Sequence, residues 1–278
     1  MRPKVSIITP FFNAESLISK LIENIQAQTS EDWELLMIDD DSVDGGGSIA
    51  KKIASGDSRI NVLNSPEDRN EKTRIGPWYA RNYGLKNAKS DLVAFLDVDD
   101  LWHPQKLELQ LELHENPNVH VTYTNYFTFD LSTGIINDYR EFPPLLSFKS
   151  FLSHNPIPIS TSMIKKSLTG RGFAPTFLED YCFWLEVAKK INGEGIHNVN
   201  KTLCYYGEHP KNRNKNKFRS LIHSYHAYLE AGFGSMESKL CCLKWIFYHS
   251  CRIMKSKIPK KSLEFTTIDN HISFFYNR

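Results

Sequence analysis

Three carboxylates, Asp97, Asp99 and Asp100, fall within four residues at the end of the apolar run Leu92-Val93-Ala94-Phe95-Leu96. Carboxylates this close repel one another and lose hydration if buried, so the pattern asks for a compensating positive charge. An all-oxygen donor set points to a divalent cation. A continuous apolar run of this length reads as a strand buried on both faces, which places the acids at its carboxyl end. Open α/β sheets bind ligands there. A solvated acidic turn uses the same residue type, and the buried strand in front of it is what sets this cluster apart. The pattern occurs earlier as well: Asp39, Asp40 and Asp41 follow the apolar stretch 33–38 and lead into Ser42, Asp44 and the glycines Gly45, Gly46 and Gly47.

The elements that must position these acids alternate along the chain. Residues 4–9 form a β-branched run ending at Pro10, and residues 15–28 show helical spacing through Leu17, Ile18, Leu21, Ile22 and Ile25. The strand 33–38, a helix over 48–54, a strand over 60–63, a helix over 77–88 and the strand before Asp97 complete four alternations. This order predicts an α/β fold with a mostly parallel sheet and right-handed crossovers. Further on, residues 104–113 read as a helix with an early Pro104, 119–129 as a Tyr/Thr-rich strand, and 132–134 as a turn before Ile135 and Ile136. Residues 142–158 are irregular and contain four prolines, 161–164 and 203–206 are short strands, and 179–191 is a helix. Glu179 and Asp180 open that helix, at the positive end of its dipole.

The chain has 278 residues and ordinary apolar and charged fractions, enough for one large domain or a domain with an extension. No run approaches the roughly 18 apolar residues needed to span a bilayer, and Met1-Arg2-Pro3-Lys4 leads into a strand without a signal-peptide pattern. The expectation is a cytoplasmic protein. Five cysteines without CxxC spacing fit reduced, mostly buried thiols. The net charge of +2 hides an asymmetry: residues 189–278 hold 16 Lys and Arg against 6 Asp and Glu, a net of +10, leaving −8 for residues 1–188. The acidic part carries the carboxylate motifs, and the basic part calls for an anionic partner.

Over roughly residues 3–210 the chain resembles the family 2 glycosyltransferases. The opening VSIITPFFN, the turn IDDDSVDG, the segment GPWYARNYGLKNAKSD leading to FLDVDDLWHPQKL, and the later LEDYCFW stand in that family's order and approximate spacing. The resemblance implies a GT-A (Rossmann-like) catalytic domain over 1–210 and a metal-assisted, inverting transfer from a nucleotide-sugar, with UDP as the expected nucleotide. It places Thr9, Pro10 and Phe11 against the base and gives Asp40 the uracil N3–H, which suits an acceptor-only carboxylate. Asp97 falls near the ribose or the metal, and Asp99 on a Mn²⁺ or Mg²⁺ ion that bridges the diphosphate. Arg74, ahead of the helix near Pro77, either reaches a phosphate or stays on the surface. Arg81 and Asn82 match the family's ARN, in support of the nucleotide loop or of the helix alone. Asp180 matches the position of the general base that takes the acceptor's proton, although Glu179 and Asp180 would also cap their helix. Trp184 stacks on a sugar or belongs to the core, and His209 is a further metal ligand or a surface residue.

Residues 211–278 lie beyond the motifs and are expected to form a basic helical extension. From Lys239 to Lys261 there are seven Lys or Arg and no acid, interleaved with Leu240, Leu243, Trp245, Ile246, Phe247, Tyr248, Ile253 and Met254. Such a helix lies on an anionic bilayer, on the inner face of the plasma membrane, or packs on the domain with its basic face solvated. The acceptor implied is a hydroxyl of a glycan or lipid-linked glycan, in synthesis of a bacterial surface polysaccharide. Two rival readings differ in their residues. A sugar nucleotidyltransferase needs a glycine-rich basic loop where TPFFNAES stands, and a catalytically silent nucleotide-sugar binder keeps Asp40 and Asp99 without needing Asp180. The basic tail has no nucleic-acid-binding motif.

Overall fold

The computed structural model describes residues 2–64, 76–208 and 217–255. Strands β1 (Val5–Phe11), β2 (Trp33–Asp39), β3 (Ile60–Asn64) and β4 (Leu92–Phe95) alternate with helices α1 (Glu15–Gln26), α2 (Gly46–Ala54) and α3 (Pro77–Asn87). All four strands are parallel and lie in the order β3-β2-β1-β4. The chain moves outward from β1 to β3 and then returns to the other side of β1. The switch in strand order, and with it the ligand crevice, therefore falls between β1 and β4. In β1 and β2, Val5, Ile7, Leu35 and Met37 pack with Ile18, Leu21, Ile22 and Ile25 of α1, while Ile8, Leu36 and Ile38 pack with Ala80 and Leu85 of α3. A period of two along strands covered on both faces explains why they read as unbroken apolar runs.

Beyond β4 the sheet becomes mixed. The later strands are β5 (Leu101–Trp102), β6 (Val121–Asp130), β7 (Ile136–Arg140), β8 (Met163–Lys165) and β9 (Ile196–Glu208). β8 runs antiparallel between β4 and β6, β6 pairs in parallel with β9, and β5 lies antiparallel on the outer side of β9. The parallel order expected from the strand–helix alternation thus holds for the first four strands. Beyond β4, the pairs β4–β5 and β6–β7 follow one another without a helix between them, and antiparallel pairing enters. β9 starts well before the stretch 203–206, because its first half pairs with β6 through polar residues such as His197 and Asn198. Helix α4 (Lys106–His114) follows β5, and a short helix, α5 (Phe148–Phe151), interrupts the proline-rich segment.

Helix α6 (Glu179–Lys190) is almost wholly buried from Tyr181 to Leu185, and Trp184 is a core residue at 1 % exposure. The tail contributes α7 (Lys217–Glu230) and α8 (Ser235–Lys255). Ala227, Tyr228, Ala231 and Cys241 belong to the same apolar core as α6, and the Tyr181 and Tyr228 hydroxyls hydrogen-bond at 2.9 Å. Cys182, Cys204, Cys241 and Cys242 are free thiols, the first three buried. Among the described residues no helix is long and apolar enough to cross a membrane.

The crevice depends on close contact between α3 and β1. A Cβ on Gly84 would stand 2.5 Å from Ile8 Cγ2, so Gly84→Ala should push α3 off the sheet and cost about 1–3 kcal/mol by overpacking. Urea unfolding of the variant against wild type checks this.

Candidate active site

Register brings the carboxyl ends of three neighbouring strands together. Phe11 pairs with Asp39, the Asp40 N–H donates to the Phe11 carbonyl at 2.9 Å, and the Leu96 N–H donates to the Ile8 carbonyl at 3.0 Å. Thr9 to Phe11, Asp39 to Asp40 and Asp97 therefore end on one edge. Thr9, Pro10 and Phe11 are themselves buried within β1. The Thr9 hydroxyl has no hydrogen-bond partner among the described residues, whereas Phe11 packs among α1 residues. Asp40 is buried, and its Oδ2 accepts the Gly76 N–H at 3.1 Å. Gly76, at φ +108°, takes a conformation that L side chains rarely adopt, and it starts α3 at Pro77. The carboxylate ending β2 is thereby tied to the entrance of α3. Asp39 accepts the Ser42 N–H at 2.8 Å, and Asp44 and Glu15 cap the loops opposite them, Asp44 Oδ2 from the Glu15 N–H at 2.9 Å and Glu15 Oε2 from the Gly45 N–H at 3.1 Å. Asp39 and Asp44 thus hold turns. Arg74 and His209 lie outside the described residues.

A cavity of about 460 Å³ opens beside Asp97, within the range usual for small-molecule sites. Asp97, Arg81, Glu179 and Asp180 supply its charge, and Tyr126, Phe177 and Tyr206 supply aromatic surface. At its centre the Arg81 guanidinium, 5 % exposed, donates to Asp97 Oδ1 at 2.5 Å and to Glu179 Oε1 at 3.0 Å. Burial would lower the Arg81 pKa, yet the charges of Asp97 and Glu179 outweigh it and hold the group above its ordinary value. It is therefore a permanent cation. Burial raises the Asp180 pKa; Arg81 and the Tyr181 N–H oppose that rise without cancelling it. Asp180 Oδ2 accepts from Asn155 Nδ2 at 2.8 Å and Oδ1 from the Tyr181 N–H at 2.8 Å, so the carboxylate is fixed in orientation. Glu179 is raised as well, by burial first. A half-buried, oriented carboxylate of raised pKa on a cavity wall can accept a proton from a bound hydroxyl.

The turn after β4 is held from two sides. The Asp97 N–H donates to Ser160 Oγ at 3.0 Å, and the Ser160 carbonyl accepts from Trp102 Nε1 at 2.7 Å. Asp100 is fully buried and accepts the Gly207 N–H at 2.8 Å; burial, then Asp99 and Asp97, push its carboxyl well above the usual range. A Cβ on Gly207 would come within 2.3 Å of the Asp99 carbonyl oxygen, so only glycine lets β9 pass under the turn. Asp99 does not border the cavity that Asp97 lines. It faces a neighbouring one of about 310 Å³ together with Lys20, Phe129 and Ser132. Among the described residues no group of three or more His, Cys, Asp or Glu side chains could hold a metal ion unaided.

Of the residues expected from sequence, the cavity unites Asp97 and Asp180. It adds Arg81 and Glu179, which the sequence offered as supporting or helix-capping residues, and Asn155, which it did not single out. Asn155 sits in the irregular segment, and no spacing announces it. Arg81 did carry a signal, since Ala80-Arg81-Asn82 matches the ARN of the family it resembles. Asn82 instead clamps Phe173, donating to its carbonyl at 2.8 Å and accepting its N–H at 2.7 Å.

The sequence model of glycosyl transferase family 2 matches residues 6–173, which span β1 through the strand that follows the carboxylate turn and on to Phe173. The chain belongs to this family and is a glycosyltransferase. It is 34 % identical over 218 residues to the UDP-Glc:alpha-D-GlcNAc-diphosphoundecaprenol beta-1,3-glucosyltransferase WfgD of Escherichia coli, covering 78 % of this chain and 82 % of that protein. It is 29 % identical over 231 residues to a putative teichuronic acid biosynthesis glycosyltransferase, TuaG, of Bacillus subtilis, covering 82 % and 88 %. In fold it is similar to S. aureus TarS 1–349, solved in complex with UDP, at a TM-score of 0.64 and 18 % identity over 89 % of this chain and 72 % of that one. It is also similar to the mannosyltransferase PcManGT of Pyrobaculum calidifontis in complex with GDP-Man and Mn2+, at a TM-score of 0.58 and 17 % identity over 95 % and 77 %. The fold is GT-A.

The Arg81 network sets a stability requirement. Arg81→Met leaves Asp97 and Glu179 as uncompensated half-buried charges, and breaking such a buried pair from one side costs about 3–5 kcal/mol. Denaturant unfolding at neutral pH should show a loss of this size. The loss should shrink at acid pH, where Glu179, already raised by burial, takes up a proton.

Proposed function

We propose that the chain transfers a sugar from a UDP-sugar to a hydroxyl of a lipid-linked glycan, with inversion at the anomeric carbon, in the synthesis of a bacterial surface polysaccharide. The observation that carries this reading is Asp180, fixed by Asn155 on the wall of the cavity that also holds Asp97 and Arg81. Asp180 accepts the acceptor hydroxyl's proton while that oxygen attacks the anomeric carbon opposite the leaving diphosphate, so no covalent enzyme intermediate is needed. Asn155 aims the carboxylate, and Arg81 favours its ionised form against the burial that raises its pKa. Thr9, Pro10, Phe11 and Asp40 take the nucleoside end of the donor, Asp97 the ribose side, and Arg74 a phosphate. The choice of UDP and of a lipid-linked acceptor is supported by the names of the WfgD and TarS relatives.

Asp99 is the residue we assign to a divalent cation, Mn²⁺ or Mg²⁺. With no cluster of three protein ligands among the described residues, the donor set fits an ion held by one or two carboxylates and otherwise by substrate phosphates and water. Bound there, it supplies Lewis-acid stabilisation of the departing diphosphate.

Calorimetric titration with UDP, GDP, CDP and TDP, each with and without Mn²⁺, tests the donor site. UDP should bind only with metal, and Asp99→Ala should weaken it at least about tenfold. Preference for another nucleotide would remove the role given to Asp40, and no binding at all would remove the transferase mechanism as drawn.

The base has its own signature. Asp180→Asn should lower kcat by roughly 10²–10⁴ with UDP binding unchanged. In wild type, kcat/KM should fall with decreasing pH as Asp180 is protonated, at a pH above the ordinary carboxylate range. The Arg81 cation favours the ionised form of Asp180, so Arg81→Gln should move that acid limb to higher pH; a limb that stayed in place would take Asp180 out of the role.

A further inference from the structure

Helix α8 has two unlike sides. Ser238 and Cys241 are buried against the body, whereas Met236, Leu240, Leu243 and Phe247 are 70, 54, 61 and 72 % exposed. Steps of four, three and four residues set those four side chains on one face of the helix, and a contiguous apolar stripe of this kind marks an interaction surface rather than ordinary surface scatter. Lys239 and Lys244, both exposed, flank it; the one acid of the helix, Glu237, is exposed in its first turn, and the sequence from Lys239 to Lys261 contains no acidic residue.

We propose that this stripe seats the protein on an anionic lipid bilayer. Its apolar side chains enter the boundary between headgroups and acyl chains, and the lysines meet the lipid phosphates. A second copy of the chain fits this face poorly. A symmetric contact sets the stripe against itself, and the lysines on its flanks would meet lysines with Glu237, already accepting the Gly234 N–H at 2.9 Å, as the one acid beside the stripe.

The position of α8 relates the bilayer to the cavity. The Tyr248 ring stacks on His154 at 4.0 Å and 6°. The next residue, Asn155, holds Asp180. From α7, His223 packs at 4.5 Å on Phe177, which is 83 % exposed and lines the cavity. The α7–α8 pair thus forms one shoulder of the cavity mouth, and seating α8 brings that mouth to the bilayer. Delivery of a lipid-linked acceptor by this route rests on the function proposed above; the membrane contact itself does not.

Co-sedimentation of the full chain with vesicles of phosphatidylglycerol and phosphatidylcholine in equal parts, against pure phosphatidylcholine, tests the contact. Wild type should sediment with the anionic vesicles, less at high salt, and a Leu243→Glu/Phe247→Glu variant should bind roughly tenfold or more weakly. Lys239→Glu/Lys244→Glu should lose binding while keeping the apolar face. Equal sedimentation with neutral vesicles, no sedimentation of wild type, variants that bind like wild type, or a wild-type dimer that the Leu243→Glu/Phe247→Glu variant dissociates would each overturn the proposal. Thermal melting and UDP titration of the same samples keep the outcomes separate. UDP binding without vesicle binding overturns the membrane contact and leaves the transferase mechanism standing. Vesicle binding without any nucleotide binding does the reverse.

Discussion

A guanidinium enclosed by carboxylates is the constraint on which this site depends. Arg81 reaches Asp97 with one nitrogen and Glu179 with another, and these two acids come from different elements, the turn after β4 and the start of α6. The cation could not stay buried without these acids, and without it two carboxylates would face each other across a half-buried wall with no opposite charge. The pairing therefore does more than add stability. It fixes α6 relative to the parallel half of the sheet, and with it the distance from the strand edge that would carry the donor to the carboxylate that would take the acceptor's proton.

The rest of the structure keeps that geometry from relaxing. Ser160 holds the Asp97 backbone, Trp102 holds Ser160, and Asn24 of α1 holds Trp102 through both of its backbone groups at 2.8 Å. On the other side Gly207 supports Asp99 and Asp100 from β9. The carboxylate turn is thus a rigid shelf between the two halves of the sheet, and the polar links that fix it are buried, where hydrogen bonds are hard for water to replace.

The parallel half of the fold was legible because its signals are local. Apolar runs, helical spacing and acids at strand ends each fall within a dozen residues, and β1 through β4 appear within one or two residues of where periodicity puts them. The mixed half was not legible in the same way. β5 is two residues long, α5 is four, and β9 begins in a polar stretch whose strand character comes from pairing with β6 rather than from its own composition. The site divides along the same line. Asp97 and Asp180 stand in ordered motifs, but the partners that tune them do so across large sequence separations: Arg81 to Glu179 spans 98 residues and Asn155 to Asp180 spans 25. Trp184 illustrates the converse, since an aromatic one turn past a catalytic candidate is as consistent with a sugar platform as with the core where it lies.

The charge arrangement bears on how an anionic donor can bind at all. Arg81 is the cation lining the described cavity, and it is already neutralised by Asp97 and Glu179; an ionised Asp180 leaves the wall with an excess of negative charge. Residues 1–188 as a whole carry −8. A nucleoside diphosphate brought to such a surface is repelled unless positive charge accompanies it. In the proposed mechanism that charge would come from Arg74 and from a divalent ion that accompanies the diphosphate. Such an ion would let Asp99 serve without a complete ligand cage. An ion that arrives with the phosphates needs from the protein only an anchor at the edge of the sheet, and a shelf stiff enough to hold that anchor still.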